Sequence, residues 1–277
     1  MQYRAEIAGT DTKRFIAPLQ SKGSLGKSTF ASFLLEWYRY AAIPFAAVDA
    51  DVAHQSLKNR YPDNTEPFPA LKSKESFGVM LDRLPESPVV LFDAPAQMTS
   101  DFLDYAAHYR LLEAFERKGW KTTLLMFMSP DEDARESASG LVKYFGEFAD
   151  YLMIDNPKLF QSEEFKRTGL FKWLSQRGAP IITMPEMLKV SKINWEALET
   201  KEGKHLSISQ VIEHPGCSTY AHFELSGCRD LMFAQLENHA RFLVPDLGLI
   251  KQKVTRAADI KSFNKPSRFA DPLFTKQ

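Results

Sequence analysis

The stretch QSKGSLGKSTF, residues 20–30, decides the reading of this 277-residue chain. Its second half, Gly26-Lys27-Ser28-Thr29, has the form of the end of a phosphate-binding loop. An apolar run, RFIAPL (14–19), leads into it, and Phe30, Phe33, Leu34 and Trp37 follow on one helical face. Strand, glycine-bearing loop and helix in that order are the context that gives such a motif its meaning. Gly23 and Gly26 let the backbone wrap an anion, so that its N–H groups and the helix N-terminus face phosphate oxygens. Lys27 would reach the β- and γ-phosphates, and the Ser28 hydroxyl would ligate Mg²⁺. The competing reading of these residues is a glycine-containing helix cap with surface lysines. The usual pattern has glycine at 21, where this chain has Ser21. It also carries a second lysine, Lys22, which an ordinary phosphate loop does not need.

Five further apolar runs resemble buried strands: 44–50, 88–95, 122–129, 150–155 and 180–185. They are nearly continuous in apolar residues, as expected of parallel strands covered on both faces. Helical stretches separate them, including 101–118 and a helix that Ser129 would cap, with Pro130 in its first turn and Glu132 completing a capping box. The expected fold is α/β, a doubly wound, mostly parallel sheet flanked by helices, with ligands at the carboxyl ends of the strands. Residues 54–76 are polar, hold three prolines and are too long for an ordinary connection, so they read as a functional or disordered loop. The expected organisation is a nucleotide-binding core over 1–190 and a C-terminal helical region with a basic tail over 191–277. An amphipathic helix is expected near 229–244, with Leu231, Met232, Leu236, Ala240 and Leu243 on its apolar face. From 241 onward there are eight Lys and Arg against three Asp.

Two acidic marks accompany the loop. Asp49 and Asp51 leave the second strand with one residue between them, so they share a face of extended chain. They could bind a Mg²⁺ shell or orient a water, or simply be a solvated strand end. Asp93, after four apolar residues in VVLFDAPAQ, stands at a strand tip where an aspartate holds Mg²⁺; alone it could be a turn begun by Asp93 and Pro95. All three marks sit at carboxyl ends of expected strands and should converge.

The bulk numbers bound the rest. Lys plus Arg equals Asp plus Glu at 35 each, so no global field draws the chain to nucleic acid or anionic lipid. Two cysteines suit a reducing compartment and make no metal cluster. The opening residues lack an apolar signal core and no run is long enough to span a membrane, so a cytoplasmic location is expected.

KGSLGKST resembles the deviant Walker A motif of ParA/MinD-type ATPases, VDAD their A′ motif and LFDAP their Walker B motif. The resemblance covers roughly residues 14–190, with the three motifs in order; DAPAQ and the long loop before it are most similar to the TraL/MobD-like ATPases of plasmid transfer and mobilisation. It implies a P-loop NTPase fold of the SIMIBI type. It also implies that Gly23, Ser24, Leu25, Gly26, Lys27, Ser28 and Thr29 hold ATP. Asn156 and the Met184-Pro185-Glu186 loop would meet the adenine, and Ser28, Asp49 and Asp93 would surround Mg²⁺. Asp51 would orient the attacking water. Lys22 would cross the interface of an ATP-dependent homodimer and touch the partner's nucleotide, a reach of about 6 Å for a point charge with three donors. A protein partner that stimulates hydrolysis, and nonspecific DNA bound through the basic C-terminal region, are further implications. Ser24 stands where the family has glycine. It keeps the N–H but narrows the allowed dihedrals. Two other classes fit the residues: a small-molecule ligase or kinase on a related scaffold, similar to dethiobiotin synthetase, which does not need Lys22, and a module that binds nucleotide with negligible turnover.

Overall fold

The computed structural model describes residues 13–51, 55–68 and 73–245. Seven strands form one sheet: β1 (Lys13–Ala17), β2 (Phe45–Asp49), β3 (Thr65–Pro67), β4 (Val89–Asp93), β5 (Trp120–Phe127), β6 (Ala149–Asp155) and β7 (Ile181–Thr183). Every pairing is parallel and the order is β3-β2-β4-β1-β5-β6-β7. The helices are α1 (Lys27–Tyr40), α2 (Ser56–Arg60), α3 (Lys74–Asp82), α4 (Thr99–His108), α5 (Leu111–Arg117), α6 (Glu132–Phe145), α7 (Glu163–Lys166), α8 (Gly169–Gln176), α9 (Lys189–Glu202), α10 (Ile208–Glu213) and α11 (Thr219–Asn238).

The strands are apolar throughout because both faces are covered. Ile16, Leu125, Phe127 and Ile154 enter one core cluster with residues of α1, α10 and α11. Phe15, Ala17, Leu124 and Met126 enter the other with residues of α3 to α6. Period-two alternation sends successive side chains into opposite layers. The six expected strands are all present, with ends shifted by one to two residues; β1, β5 and β6 begin earlier than expected, and β1, β2, β4, β5 and β7 end earlier.

Four expectations are corrected. The 54–76 stretch contains α2 and a seventh strand, β3, where Ala47, Val48 and Asp49 pair with Thr65, Glu66 and Pro67. Three polar-to-neutral residues carry no periodic signal, and Pro67 is tolerated because β3 is the sheet edge. The single helix over 101–118 is two, broken where Arg110 takes a left-handed φ of 50°. The α6 cap is Asp131, whose carboxylate accepts from Ala134 N–H at 3.2 Å, while Ser129 Oγ accepts from Asp131 N–H. Pro130 therefore precedes the cap. The C-terminal helix begins at Thr219, ten residues early; Ala240 lies in a following 3₁₀ turn and Leu231 faces outward. Exposed Tyr220 and Phe223 in its first turns blurred the periodicity.

Candidate functional site

The loop after β1 bends around two left-handed positions, Ser24 at φ 57° and Gly26 at φ 91°. Serine thus adopts the conformation that glycine takes more readily. Gly26 is fixed twice over: a Cβ there would stand 2.5 Å from Asn156 Nδ2. α1 starts at Lys27 without a side-chain cap, which leaves the first-turn amides for a ligand.

The two lysines go different ways. Lys27 is buried; its ammonium donates to the carbonyls of Gln20 (2.6 Å) and Lys22 (3.3 Å) inside the loop. Burial lowers its pKa, against the pull of Asp93 and Asp51. Lys22 is half-exposed and lies along the outer rim, where it pairs with Asp131 Oδ2 at 2.9 Å. That hydrogen bond and the Asp131 charge raise its pKa. Because Asp131 caps α6 with its other oxygen, the cap correction explains how Lys22 is held.

Three successive loop residues are anchored on α6. The Gln20 amide donates to Phe127 and Ala134 carbonyls at 3.1 and 3.2 Å, Ser21 N–H donates to Ser137 Oγ at 3.1 Å, and Lys22 meets Asp131. Ser21 Oγ also donates to Thr99 Oγ1 of α4 at 2.7 Å. Sequence reading missed the roles of Gln20, Thr99 and Asp131, which belong to no motif, and the partners of Ser21, which stands at a motif position; only packing brings them together. Between α4 and α6, against Lys22 and Gly23, lies a cleft of about 770 Å³.

The carboxylates converge as expected. Asp49 and Asp93 are opposite each other in the β2–β4 register. Asp49 accepts from Asp51 N–H through Oδ1 (3.1 Å), and from Leu57 and Lys58 N–H through Oδ2 (3.0 Å each), so it also holds the start of α2. Burial raises the Asp49 pKa against those hydrogen bonds. Asp93 is buried; Ser28 Oγ donates to its Oδ2 at 3.1 Å, and its Oδ1 is buried without a partner among the described residues. Burial first, then the charge of Asp49, pushes the Asp93 carboxyl up to about 7. An orphaned carboxylate oxygen beside a serine hydroxyl fits a hard divalent cation, whose ligands are oxygens. Asp51 stands close enough to influence both Lys27 and Asp93.

On the other side of the loop, Asn156 Nδ2 donates to the Leu25 carbonyl at 3.2 Å, and the Met184 sulfur approaches Gly26. Pro185 follows in the half-buried loop after β7. From Thr29 a cavity of about 300 Å³ extends between α1, Arg60, Met187 and Trp195. The cavity residues beyond Thr29 were not legible in the sequence.

No family model matches the chain. Among solved structures, the chain is similar to a chain of the MinC:MinD cell division protein complex of Aquifex aeolicus, with 13% identity, TM-score 0.44, 82% of this chain and 96% of that one covered. It is similar to a plasmid partition protein of Borrelia burgdorferi, with 16% identity, TM-score 0.39, 69% and 99% covered. It is also similar to the hydrogenase maturation factor HypB of Archaeoglobus fulgidus, with 14% identity, TM-score 0.42, 66% and 86% covered. These likenesses are distant, and the functional reading rests on the chain's own loop, strand tips and cavity. Among the described residues no helix is long and apolar enough to cross a membrane.

Proposed function

We propose that the protein is an ATP-dependent switch that binds MgATP at residues 22–29, closes into a homodimer around two nucleotides and hydrolyses ATP slowly to ADP and phosphate. The observation that carries this reading is the division between the lysines. Lys27 serves the loop interior, whereas Lys22 stands on the outer rim, held by a surface carboxylate.

On ATP binding, Lys27 exchanges two loop carbonyls for the β- and γ-phosphates, and the α1 amides face the same oxygens. Ser28 and Asp93 would hold Mg²⁺, with Asp49 beside them; the cation supplies charge neutralisation on the phosphates. Asp51 would orient the water that attacks the γ-phosphorus as the bond to ADP oxygen breaks. The base would lie against Asn156, Met184 and Pro185, with the cavity from Thr29 adjoining the ribose. Lys22, released from Asp131, would meet the partner's phosphates. A protein that stimulates hydrolysis fits a slow switch of this type. The basic residues from 241 onward, mostly outside the described residues, suit nonspecific duplex DNA; retention of DNA that falls steeply with salt would support this, and no retention at about 50 mM salt would sink it.

The deciding experiment mixes Lys22→Ala with Asp51→Ala protein. Each alone should bind ATP and lack activity. In a mixed dimer, the site on the Lys22→Ala subunit keeps its own Asp51 and receives Lys22 from its neighbour, so partial activity returns. Heterodimers as inactive as their components would show that Lys22 acts within its own chain.

A further inference from the structure

Helix α2 has only five residues, yet it connects the strand tips to the C-terminal helices. Its N-cap residue, Gln55, makes no side-chain cap bond. The start of the helix is held instead by Asp49, through the N–H groups of Leu57 and Lys58. Its last residue, Arg60, donates from Nε to the Leu206 carbonyl at 2.8 Å and from Nη2 to Glu199 Oε1 at 3.1 Å. The same Glu199 oxygen accepts from Trp195 Nε1 at 3.0 Å and from Leu206 N–H at 2.9 Å. The Arg60 guanidinium also stands 5.5 Å from the Trp195 ring centre. Arg60, Trp195 and Glu199 line the cavity that opens from Thr29.

We propose that Arg60 is a positioning residue that couples cation binding at the strand tips to the shape of this cavity. The proposal rests on the nucleotide reading above. Asp49 spends its two oxygens on three N–H donors while facing Asp93 across the β2–β4 register. A cation drawn to the bare Asp93 oxygen pulls on both carboxylates. The two bonds from Asp49 Oδ2 to successive backbone amides carry any shift of Asp49 into the start of α2, since a hydrogen bond to a carboxylate is stronger than a neutral one. Two residues beyond Lys58 the displacement meets a guanidinium held by a carbonyl, a carboxylate and an indole face. The indole moves with it, since its N–H shares the Glu199 oxygen. Coupling of this kind is reciprocal: a ligand that seats against Trp195 would also steady Asp49.

Trp195 is the built-in reporter. Its emission is taken as the difference between the protein and its Trp195→Phe variant, with a non-hydrolysable ATP analogue bound, before and after Mg²⁺ addition. Nucleotide affinity is measured in parallel by calorimetry. The expected result is a Mg²⁺-dependent change of Trp195 emission in the native protein that is lost in Arg60→Met, while Mg²⁺ still tightens analogue binding in that variant. Should the methionine variant fail to fold by circular dichroism, Arg60→Lys serves, because an ammonium cannot keep the forked contact; the change should shrink with it. Two results overturn the coupling alone: the analogue binds with Mg²⁺ but Trp195 does not respond, or the response survives in the Arg60 variant. A native protein that binds no nucleotide overturns the phosphate-loop reading, and the coupling with it.

Discussion

The two ends of the sheet bury ions in opposite ways. At the amino ends of the strands Arg14 is 4% exposed; its charge is met by Asp150, although its Nε is buried without a partner among the described residues. Its guanidinium also donates to Thr123 Oγ1 and to the Arg241 carbonyl, while Thr123 and Tyr38 hydroxyls take the carbonyls of Phe242 and Leu243. Three consecutive carbonyls of the C-terminal segment are thereby fastened under the sheet. At the carboxyl ends Asp93 is 2% exposed, yet one of its oxygens has no partner among the described residues and the facing residue on the next strand is another carboxylate. The first end pairs its charge in a direct salt bridge; at the second Lys27 acts on Asp93 without a bond to it, while Asp49 opposes it with a like charge. A buried ion without a directly bonded counter-charge is costly, so the contrast marks the candidate site as the less compensated end.

The strongest way to break this comparison is to remove the cation of the site end. Lys27→Ala should lower ATP affinity by about 2–4 kcal/mol, because the phosphates lose their internal ammonium in a partly dehydrated loop. Calorimetry with unchanged affinity would remove the phosphate-loop reading.

Next comes the carboxylate itself. The folded value of Asp93, about 7, lies above its ordinary 3.8. Between those values the folded protein keeps a proton that the unfolded chain gives up, so this group lowers stability as pH rises. Asp93→Asn should therefore be more stable than the native protein at pH 8, by about 4 kcal/mol, with the difference fading toward pH 4. It should also lose Mg²⁺-dependent nucleotide binding. Urea midpoints that differ equally at both pH values would remove the idea that Asp93 is strained by its own charge.

Arg14→Met tests the opposite end. The expected loss is about 1–3 kcal/mol, from hydrogen bonds at buried carbonyl and hydroxyl groups rather than from Asp150, which is half-exposed and regains water. Nucleotide affinity of the folded variant should stay the same. A large affinity change would mean that the two ends are not independent.

The smallest effect is expected at Ser24, whose φ of 57° is costly for any residue with a Cβ. Ser24→Gly should relieve up to about 1 kcal/mol of local strain, offset in part by the freedom glycine gains in the unfolded chain. Thermal denaturation with and without nucleotide measures it. A clear loss of stability would show that the serine is favoured for a contact rather than tolerated.

Much of the site was readable before any coordinates. Gly26, Lys27, Ser28, Asp49, Asp51 and Asp93 lie on two strand tips and one loop that apolar runs announce, and these elements meet at the carboxyl end of the sheet. Asn156 and the Met184 loop also reach the loop after β1, but by touching its backbone. Asn156 packs where a Gly26 Cβ would be, a relation between residues 130 apart in the chain that no local pattern contains. The same holds for Gln20 and Ser21, whose partners sit on α4 and α6.

The sequence by itself determined the parallel α/β class, the six apolar strands and the convergence of lysine and carboxylates, because period, apolar continuity and loop chemistry are local. Tertiary structure alone decided that Thr65–Pro67 becomes an edge strand, that Asp131 rather than Ser129 caps α6 and so holds Lys22, and that Arg60 meets Glu199 and Trp195 beside Thr29. Each depends on which polar groups are left facing one another after the core has closed. An edge strand needs a neighbour's free amides, a cap the nearest strong acceptor, and a guanidinium a carboxylate brought across from another helix.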